Sequence, residues 1–186
     1  RHLVKLSTVR NVDGSTSSEL VMEGSLVEES QVMARGAQAQ ELLDTLRDLL
    51  ALTTGAALVG VSSQAFDMTL DYIKYRQQFG KALGSFQALQ HRAADCFVDI
   101  ELNRSLVYRV AASYDAGQAH PAMAAAVKAR TSRVALAVTR NALQLHGAIG
   151  YTDEHDIGLY YKRAIALAAL YGNDINQTAR FSALTL

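Results

Sequence analysis

The chain has 186 residues, of which 49% are hydrophobic, and its eighteen basic residues are balanced by eighteen acidic ones. A chain of this length and composition can bury a sizeable core, and its zero formal net charge excludes the strongly basic class that binds nucleic acids or anionic membranes. No run of about eighteen apolar residues predicts a membrane span. The single Cys96 cannot form an internal disulfide, so we expect a cytoplasmic protein.

Two β-type runs open the chain. Residues 3–9 and 18–22 are rich in apolar and β-branched side chains, and the Asp-Gly pair between them, within residues 11–15, is typical of a hairpin turn. Two strands alone are marginally stable in water. We therefore expect residues 1–26 to be the last hairpin of a β domain that lies upstream. The first residue is Arg1 rather than Met, which fits a fragment of a longer protein.

A helical domain is predicted from residue 27 to residue 186. Apolar residues at steps of three and four predict long helices over residues 38–76, 85–116, 121–147 and 156–170, and a short one from residue 174. Long helices with apolar stripes and short connections predict an antiparallel up-down four-helix bundle, in a mainly α protein with a short N-terminal β hairpin.

Single residues indicate where these helices begin and how they pack. Pro121 suits the first turn of the third helix, and Asn173 or Asp174 suits the cap of the last one. Gly55 and Gly60 lie inside the first helix. We expect these two small residues to allow close contact with a neighbouring helix.

Two motifs carry the functional signal. Residues 75–80 read YRQQFG at the end of the first helix and are followed by Phe86 and Gln87, whereas residues 144–151 read QLHGAIGY at the end of the third helix. The guanidinium of Arg76 can hold a pyrophosphate with two parallel hydrogen bonds. Glycines let the backbone approach a ligand. Taken alone, the second motif would indicate an ordinary glycine helix stop.

In this order, the two motifs give the chain a resemblance to the acyl-CoA dehydrogenases. Residues 27–183 resemble the C-terminal helical-bundle domain of that family, and residues 1–26 resemble the end of its middle β domain. The resemblance implies FAD as cofactor and an acyl-CoA thioester as substrate. It also implies that FAD lies between the bundle and the β domain, and against the bundle of a neighbouring subunit. We therefore expect a homo- or hetero-oligomer, a dimer or a tetramer. No two histidines have the spacing of metal ligands, so we expect no metal centre.

The resemblance also assigns the cofactor contacts. Arg76 matches the arginine that reaches the FAD diphosphate of the adjacent subunit, whereas Gln144 and Gly147 match positions beside the adenosine half. The other positions implied to contact FAD are Gln78, Phe79, Phe86, Gln87, Leu145, Ala148 and Asn173. His146 departs from the family, which usually has an apolar or aromatic residue at that position.

The catalytic base departs from the family as well. Most members carry a glutamate immediately before a glycine in the loop after the fourth helix, and a minority carry it on the first helix. Ungapped counting puts Tyr171 and Leu50 at these positions, and Ala51 replaces a substrate-binding arginine. A phenol with an ordinary pKa of about 10 ionises at neutral pH at a cost of about 4 kcal/mol, so tyrosine is a poor base. Asp174 is an alternative candidate, although a helix cap explains it more simply.

Three functional hypotheses remain open. In the first, the chain is a subunit of an acyl-CoA dehydrogenase, which desaturates the α,β bond of an acyl-CoA, and the catalytic glutamate lies on a partner chain. Such heteromeric members often act on bulky acyl groups such as steroid side chains. In the second, the chain is a relative that keeps the scaffold for binding or assembly. In the third, it is a flavin monooxygenase or oxidase relative that needs no such base.

Overall fold

The computed structural model describes residues 3–118 and 120–186, and residues 3 and 4 by their backbone alone. Residues 1 and 2 of the predicted hairpin segment lie outside the described residues. The described part has a β hairpin followed by five α-helices, which form an antiparallel bundle as predicted. The helices are α1 (Gly36–Tyr75), α2 (Gln87–Asp115), α3 (Pro121–His146), α4 (Ile157–Ala169) and α5 (Asp174–Thr185).

The N-terminal hairpin pairs β1 (Leu3–Arg10) with β2 (Thr16–Glu23) in an antiparallel register. Both strands are slightly longer than predicted. The turn contains Gly14 with φ +82°, the left-handed conformation that the Asp-Gly pair predicts. Every residue of β2 is exposed, so the hairpin has no core of its own. It reaches the bundle through an ion pair in which Arg163 Nη1 lies 2.7 Å from the Asp13 carboxylate.

The first helix, α1, is 40 residues long. The segment Glu29–Tyr75 that contains it is, within the described ranges, the one helical stretch long and apolar enough to cross a membrane by length and composition alone. Half of its most apolar window is buried inside the bundle, which is typical of a core helix. The predicted apolar stripe is buried only in part, because its first side chains remain exposed on the surface: Leu42, Leu46 and Leu49.

Close contact between α1 and α3 depends on one glycine. A Cβ on Gly55 would lie 2.5 Å from Val127 Cγ1 and 3.3 Å from Thr131 Oγ1, so only a hydrogen fits there. The expectation for Gly60 is wrong. Nothing lies within 4 Å of a Cβ at that position, because Gly60 faces away from the other helices.

The remaining helices pack around α3. One apolar cluster joins α1, α3 and α4 through Leu58, Ala135, Ala164 and Leu167. A second joins α2 to α3 and includes Cys96 and Ile100, so the lone cysteine is a buried part of the core. The short helix α5 packs on α3 and is linked to α1 by an ion pair in which Arg180 Nη2 lies 2.5 Å from Asp48 Oδ1.

Two local features refine the predictions. A second hairpin, β3 (Gln77–Gln78) and β4 (Lys81–Ala82), connects α1 to α2 and was not predicted from the sequence. Its two turn residues, Phe79 and Gly80, both have positive φ, as a tight two-residue hairpin requires. At α5 the cap is Asn173 rather than Asp174, since Asn173 Oδ1 accepts a hydrogen bond of 2.9 Å from the Asn176 amide.

Three aromatic rings cluster where α1 and α3 end, and Tyr72 and His146 are stacked. His146 is 4% exposed, and its ring centroid lies 4.3 Å from that of Tyr72 and 4.4 Å from that of His155. Its Nδ1 donates to the Ala142 carbonyl at 2.8 Å, while Nε2 is buried and has no partner among the described residues. Burial lowers the pKa of His146, and the neighbouring His155 lowers it further.

Gly55 and Gly60 form a matched pair that tests the α1–α3 contact. Gly55→Ala is expected to lower the free energy of unfolding by about 1–3 kcal/mol, the usual cost of overpacking a tight core. Gly60→Ala is expected to raise it by about 0.5–1 kcal/mol, because alanine is the better helix former where space is open. Urea denaturation followed by circular dichroism measures both. Equal effects of the two substitutions would contradict the close approach at Gly55.

The depressed pKa of His146 predicts that acid destabilises the fold. As the pH falls below the ordinary value of 6.5, the unfolded chain takes up a proton that folded His146 rejects, so the free energy of unfolding falls. His146→Phe keeps an aromatic ring in the stack and removes the titration, and should flatten this dependence. An unchanged slope in His146→Phe would rule out His146 as its source.

Candidate functional site

Both sequence motifs meet in one groove. It has a volume of about 340 Å³ and lies between the ends of α1 and α3, the β3–β4 hairpin and the first turns of α2. Six predicted residues line it: Arg76, Gln78, Gln144, Leu145, Gly147 and Ala148. Five further lining residues were not predicted to be in the site: Tyr72, Leu83, Leu89, Arg92 and His146. Segments more than sixty residues apart in the chain are thus brought together on one surface.

The groove carries two exposed guanidinium groups. Arg76 follows the last residue of α1, and Arg92 lies in the second turn of α2. Within residues 3–118 and 120–186, neither arginine forms an ion pair. Two uncompensated positive charges in one concave surface suit an anionic ligand, above all one with adjacent phosphates. Arg92 was not predicted, because its place in the groove depends on how α2 packs beside the ends of α1 and α3.

The end of α3 gives the groove its polar edge. Gln144 is exposed on the last turn, where its amide is free to bind a ligand, and Gly147 caps the helix with φ +66°. Gly150 has a different local role. It is buried, and a Cβ there would lie 3.2 Å from His146 Cβ and 3.3 Å from Ile157 Cγ2. A side chain there would push its neighbours apart by a few tenths of an ångström, so packing of the short 3-10 turn Gly147–Tyr151 against α4 favours this glycine whether or not a ligand is bound.

The other predicted residues of the first motif flank the groove on the hairpin. Phe79 is 88% exposed at the tip, although a left-handed backbone is costly for a bulky residue. Its ring meets Phe86 edge to face, with centroids 6.2 Å apart, and Lys81 Nζ lies 4.3 Å from the centroid of Phe86. Gln87 is exposed in the first turn of α2. The hairpin thus presents an aromatic and basic surface to whatever lies outside the chain.

The predicted base position lies elsewhere, in the turn between α4 and α5. Tyr171 is 46% exposed and has φ +55°, and it is followed by Gly172 with φ +94°. The Asp174 carboxylate lies 3.6 Å from Arg133 Nε, so it is engaged in an ion pair. Asn173, predicted to contact FAD, caps α5. Beneath the turn lies Lys128, fully buried on α3 and not singled out from the sequence.

The groove and the turn lie near opposite ends of α3. Lys128 contacts the turn, whereas Gln144 borders the groove sixteen residues later, which is about 24 Å along a helix that rises about 1.5 Å per residue. The predicted site residues therefore form two separate regions of this subunit.

The alternative base position on α1 offers no acidic group. Leu50 is half-buried, and Ala51 is completely buried. The nearest carboxylate in sequence, Asp48, is buried and bound to Arg180. Burial, followed by the charge of Asp48, raises the pKa of the adjacent Tyr114 to about 12. Neither of the two predicted base positions therefore carries a free carboxylate.

Comparisons with known proteins agree with this architecture. Residues 37–181 match the family described as acyl-CoA dehydrogenase, C-terminal domain. Acyl-CoA dehydrogenase IpdE2 of Mycolicibacterium smegmatis is 41% identical over 140 residues, which are 74% of this chain and 43% of that protein. The structure of butyryl-CoA dehydrogenase from Megasphaera elsdenii superimposes with a TM-score of 0.90 and 26% identity, over 97% of this chain and 47% of that one.

A third relative is a variant of the Tcur3481–Tcur3483 steroid ACAD. It superimposes with a TM-score of 0.82 and 27% identity, over 98% of this chain and 48% of that one. The chain thus spans less than half the length of each of these three relatives. Because the family match extends over residues 37–181, which include nearly all of the helical bundle, the chain belongs to the acyl-CoA dehydrogenase family.

Proposed function

We propose that the chain is part of an FAD-dependent acyl-CoA dehydrogenase and supplies the helical bundle and one wall of the cofactor site. The observation that carries this proposal is the groove in which Arg76 and Gln144 meet. In the full-length protein the hairpin within residues 1–26 would be the tail of an upstream β domain, joined to the bundle by Asp13 and Arg163. The lone cysteine fits a reducing compartment, which we propose to be the cytoplasm.

The residues of the groove fit part of a dinucleotide. Arg76 and Arg92 supply two guanidinium groups for the diphosphate, Gln144 supplies amide donors and an acceptor, and the Gly147 backbone is exposed beside them. A volume of about 340 Å³ suits one portion of FAD rather than all of it. We therefore propose that the groove covers the diphosphate and adenosine portion of the FAD held by an adjacent subunit. FAD, when bound, accepts the electrons removed from the acyl chain.

We further propose that the catalytic glutamate lies on a partner chain. Removal of the proton beside the thioester needs a carboxylate placed against the substrate. In this chain Tyr171 and Leu50 stand at the two base positions, and Asp174 is paired with Arg133. The name of the related steroid ACAD joins two components, Tcur3481 and Tcur3483, which is in keeping with a heteromeric enzyme.

Exposed apolar side chains support assembly into an oligomer. On α1 they are Leu42, Leu43, Leu46 and Leu49, and on α2 they are Phe97, Val98 and Leu102. Groups of exposed apolar side chains commonly mark a protein–protein interface. The partner chain would cover it, and FAD would lie between the subunits.

The absence of a free carboxylate also favours a second candidate, a scaffold or binding relative that performs no desaturation. A flavin monooxygenase or oxidase relative, which needs no such base, is a further alternative. Both differ from the heteromeric dehydrogenase in one observable respect. Only the dehydrogenase gains acyl-CoA-dependent flavin reduction when a glutamate-bearing partner is added.

Substitution of the two arginines tests the cofactor groove. In the full-length assembly, Arg76→Ala should weaken FAD binding by about 10- to 100-fold, because a charge-assisted hydrogen bond is worth about 1.5–3 kcal/mol. Arg92→Ala should also weaken binding, and the loss should diminish at high salt for both variants. Flavin absorbance per protein and the quenching of flavin fluorescence measure the affinity.

Arg109 offers a matched control, since it is an exposed arginine on α2 that does not line the groove. Arg109→Ala should leave FAD affinity unchanged. If Arg76→Ala bound FAD as tightly as the unsubstituted protein, the groove would not be a diphosphate site.

Flavin reduction tests the missing base. The full-length chain, assembled without a partner and loaded with FAD, should not bleach its flavin when mixed anaerobically with a panel of acyl-CoA thioesters. Addition of a partner that carries the glutamate should restore bleaching, because the base is then supplied in trans. Stopped-flow absorbance follows the reaction.

Tyr171→Glu serves as the comparison within this chain. It should restore at most a little flavin reduction, because Ala51 stands where the family commonly has an arginine in its substrate-binding segment. Rapid bleaching by the unpartnered chain with Tyr171 intact would reveal a working base in this subunit and overturn the heteromeric proposal. Failure of every glutamate-bearing partner to restore bleaching would favour the scaffold candidate.

A further inference from the structure

The turn between α4 and α5 has an unusual backbone for the side chains it carries. Tyr171 and Gly172, called here the Tyr171 corner, both have positive φ, at +55° and +94°. A left-handed backbone costs a bulky residue about 1–3 kcal/mol and persists only where the surroundings impose it. Gly172 cannot be replaced without strain, because L side chains rarely adopt its φ, and a Cβ there would also lie 3.1 Å from Gln177 Nε2.

Lys128 imposes this geometry from below. Its side chain is completely buried, and Nζ donates to Ser132 Oγ, to the Ala168 carbonyl and to the Gly172 carbonyl, each at 3.0 Å. An ammonium group has three protons, so these three bonds use all of them. Burial lowers the pKa of Lys128 to about 8 while Asp174 opposes the shift, so the ammonium form prevails at neutral pH.

Gln177 holds the neighbouring carbonyl from a different helix. It is 3% exposed on α5, and its Nε2 donates to the Tyr171 carbonyl at 2.6 Å. The two successive carbonyls of the corner are therefore bound by two buried side chains, one from α3 and one from α5. A rotation of either peptide would leave a buried donor without its acceptor, which is costly.

The Tyr171 side chain does not account for this arrangement by its own packing. It is 46% exposed, and its phenol has no hydrogen-bond partner among the described residues. A buried ammonium group and a left-handed bulky residue both oppose folding. Both features occur at one corner, where the bonds from Lys128 and Gln177 hold the backbone that carries the exposed Tyr171 side chain.

We propose that Lys128 and Gln177 are positioning residues that lock the Tyr171 corner, so that the side chain at position 171 leaves the backbone in a single direction. The purpose of the lock rests on the proposed function, in which position 171 matches the family's base position. The corner then presents its side chain toward the acyl-CoA even though a phenol has replaced the carboxylate. The lock itself involves neither FAD nor substrate and is tested without them.

A fluorescent reporter measures the lock directly. The 186-residue chain contains no tryptophan, so Tyr171→Trp introduces a single one at the corner. In this variant the fluorescence anisotropy of the introduced tryptophan should decay with the tumbling of the whole molecule. When Lys128→Met or Gln177→Leu is added, a faster component from local motion should replace part of that slow decay, because the corner becomes a mobile loop. Circular dichroism verifies that the helices remain.

Lys162→Met is the matched control, since Lys162 is an exposed lysine on α4 with no ion pair in the described part of the chain. It should leave the decay unchanged. A lower melting temperature with an unchanged anisotropy decay of the tryptophan in both variants would overturn the proposal, because the residues would then only stabilise the bundle. If Lys128→Met does not fold, Gln177→Leu decides the question, and failure of both to fold would also overturn the proposal. Neither result depends on the flavin experiments.

Discussion

The close contact between α1 and α3 is the constraint on which the rest of the structure depends. At Gly55 the two helices approach until no side chain fits between them, and α3 is thereby drawn into the centre of the bundle. Fifteen of the 26 residues of α3 are buried, more than one amphipathic face can account for. It also contacts α2, α4 and α5, so its position determines theirs.

A central helix of this kind holds two distant regions in a fixed relation. Its buried residues are mostly small, and alanines, serines and threonines let the surrounding helices approach on every side. Near its start, Lys128 supports the Tyr171 corner, while its end supplies Gln144 and Gly147 to the groove. In the proposed enzyme one region would face the acyl-CoA and the other the FAD held by an adjacent subunit. A shift of α3 would disturb both.

The helices were predicted from the sequence more completely than the residues of the candidate site. Apolar periodicity predicted five helices, the four long ones within two residues of their observed limits, and Pro121 begins α3 as its fixed φ predicts. The two motifs were recognised through their resemblance to a family. Arg92 and Lys128 were missed because their significance lies in contacts made across the fold: one lines a groove formed by four segments, and the other bonds a loop 44 residues away.

Other misses have local physical causes. The β3–β4 hairpin has strands of two residues, too short for any periodicity, and its turn uses Phe79 where asparagine or aspartate would signal the turn. Gly60 resembles Gly55 in sequence, but a step of five residues along the helix turns it to a different side of α1. The separation of the predicted base position from the groove could not be predicted from the sequence, because it depends on where the two ends of α3 lie in the folded structure.

The ion pair between Asp13 and Arg163 joins residues 150 positions apart in the chain. Contacts of such large sequence separation form late in folding, because the entropy of closing the loop is lost before the contact contributes. The helices, by contrast, form from contacts within a turn, and the contact between α1 and α3 at Gly55 joins residues 72 positions apart. The bundle can therefore assemble first and act as the template on which the N-terminal hairpin docks. In a chain synthesised from its N-terminus, that hairpin emerges from the ribosome well before the surface that receives it.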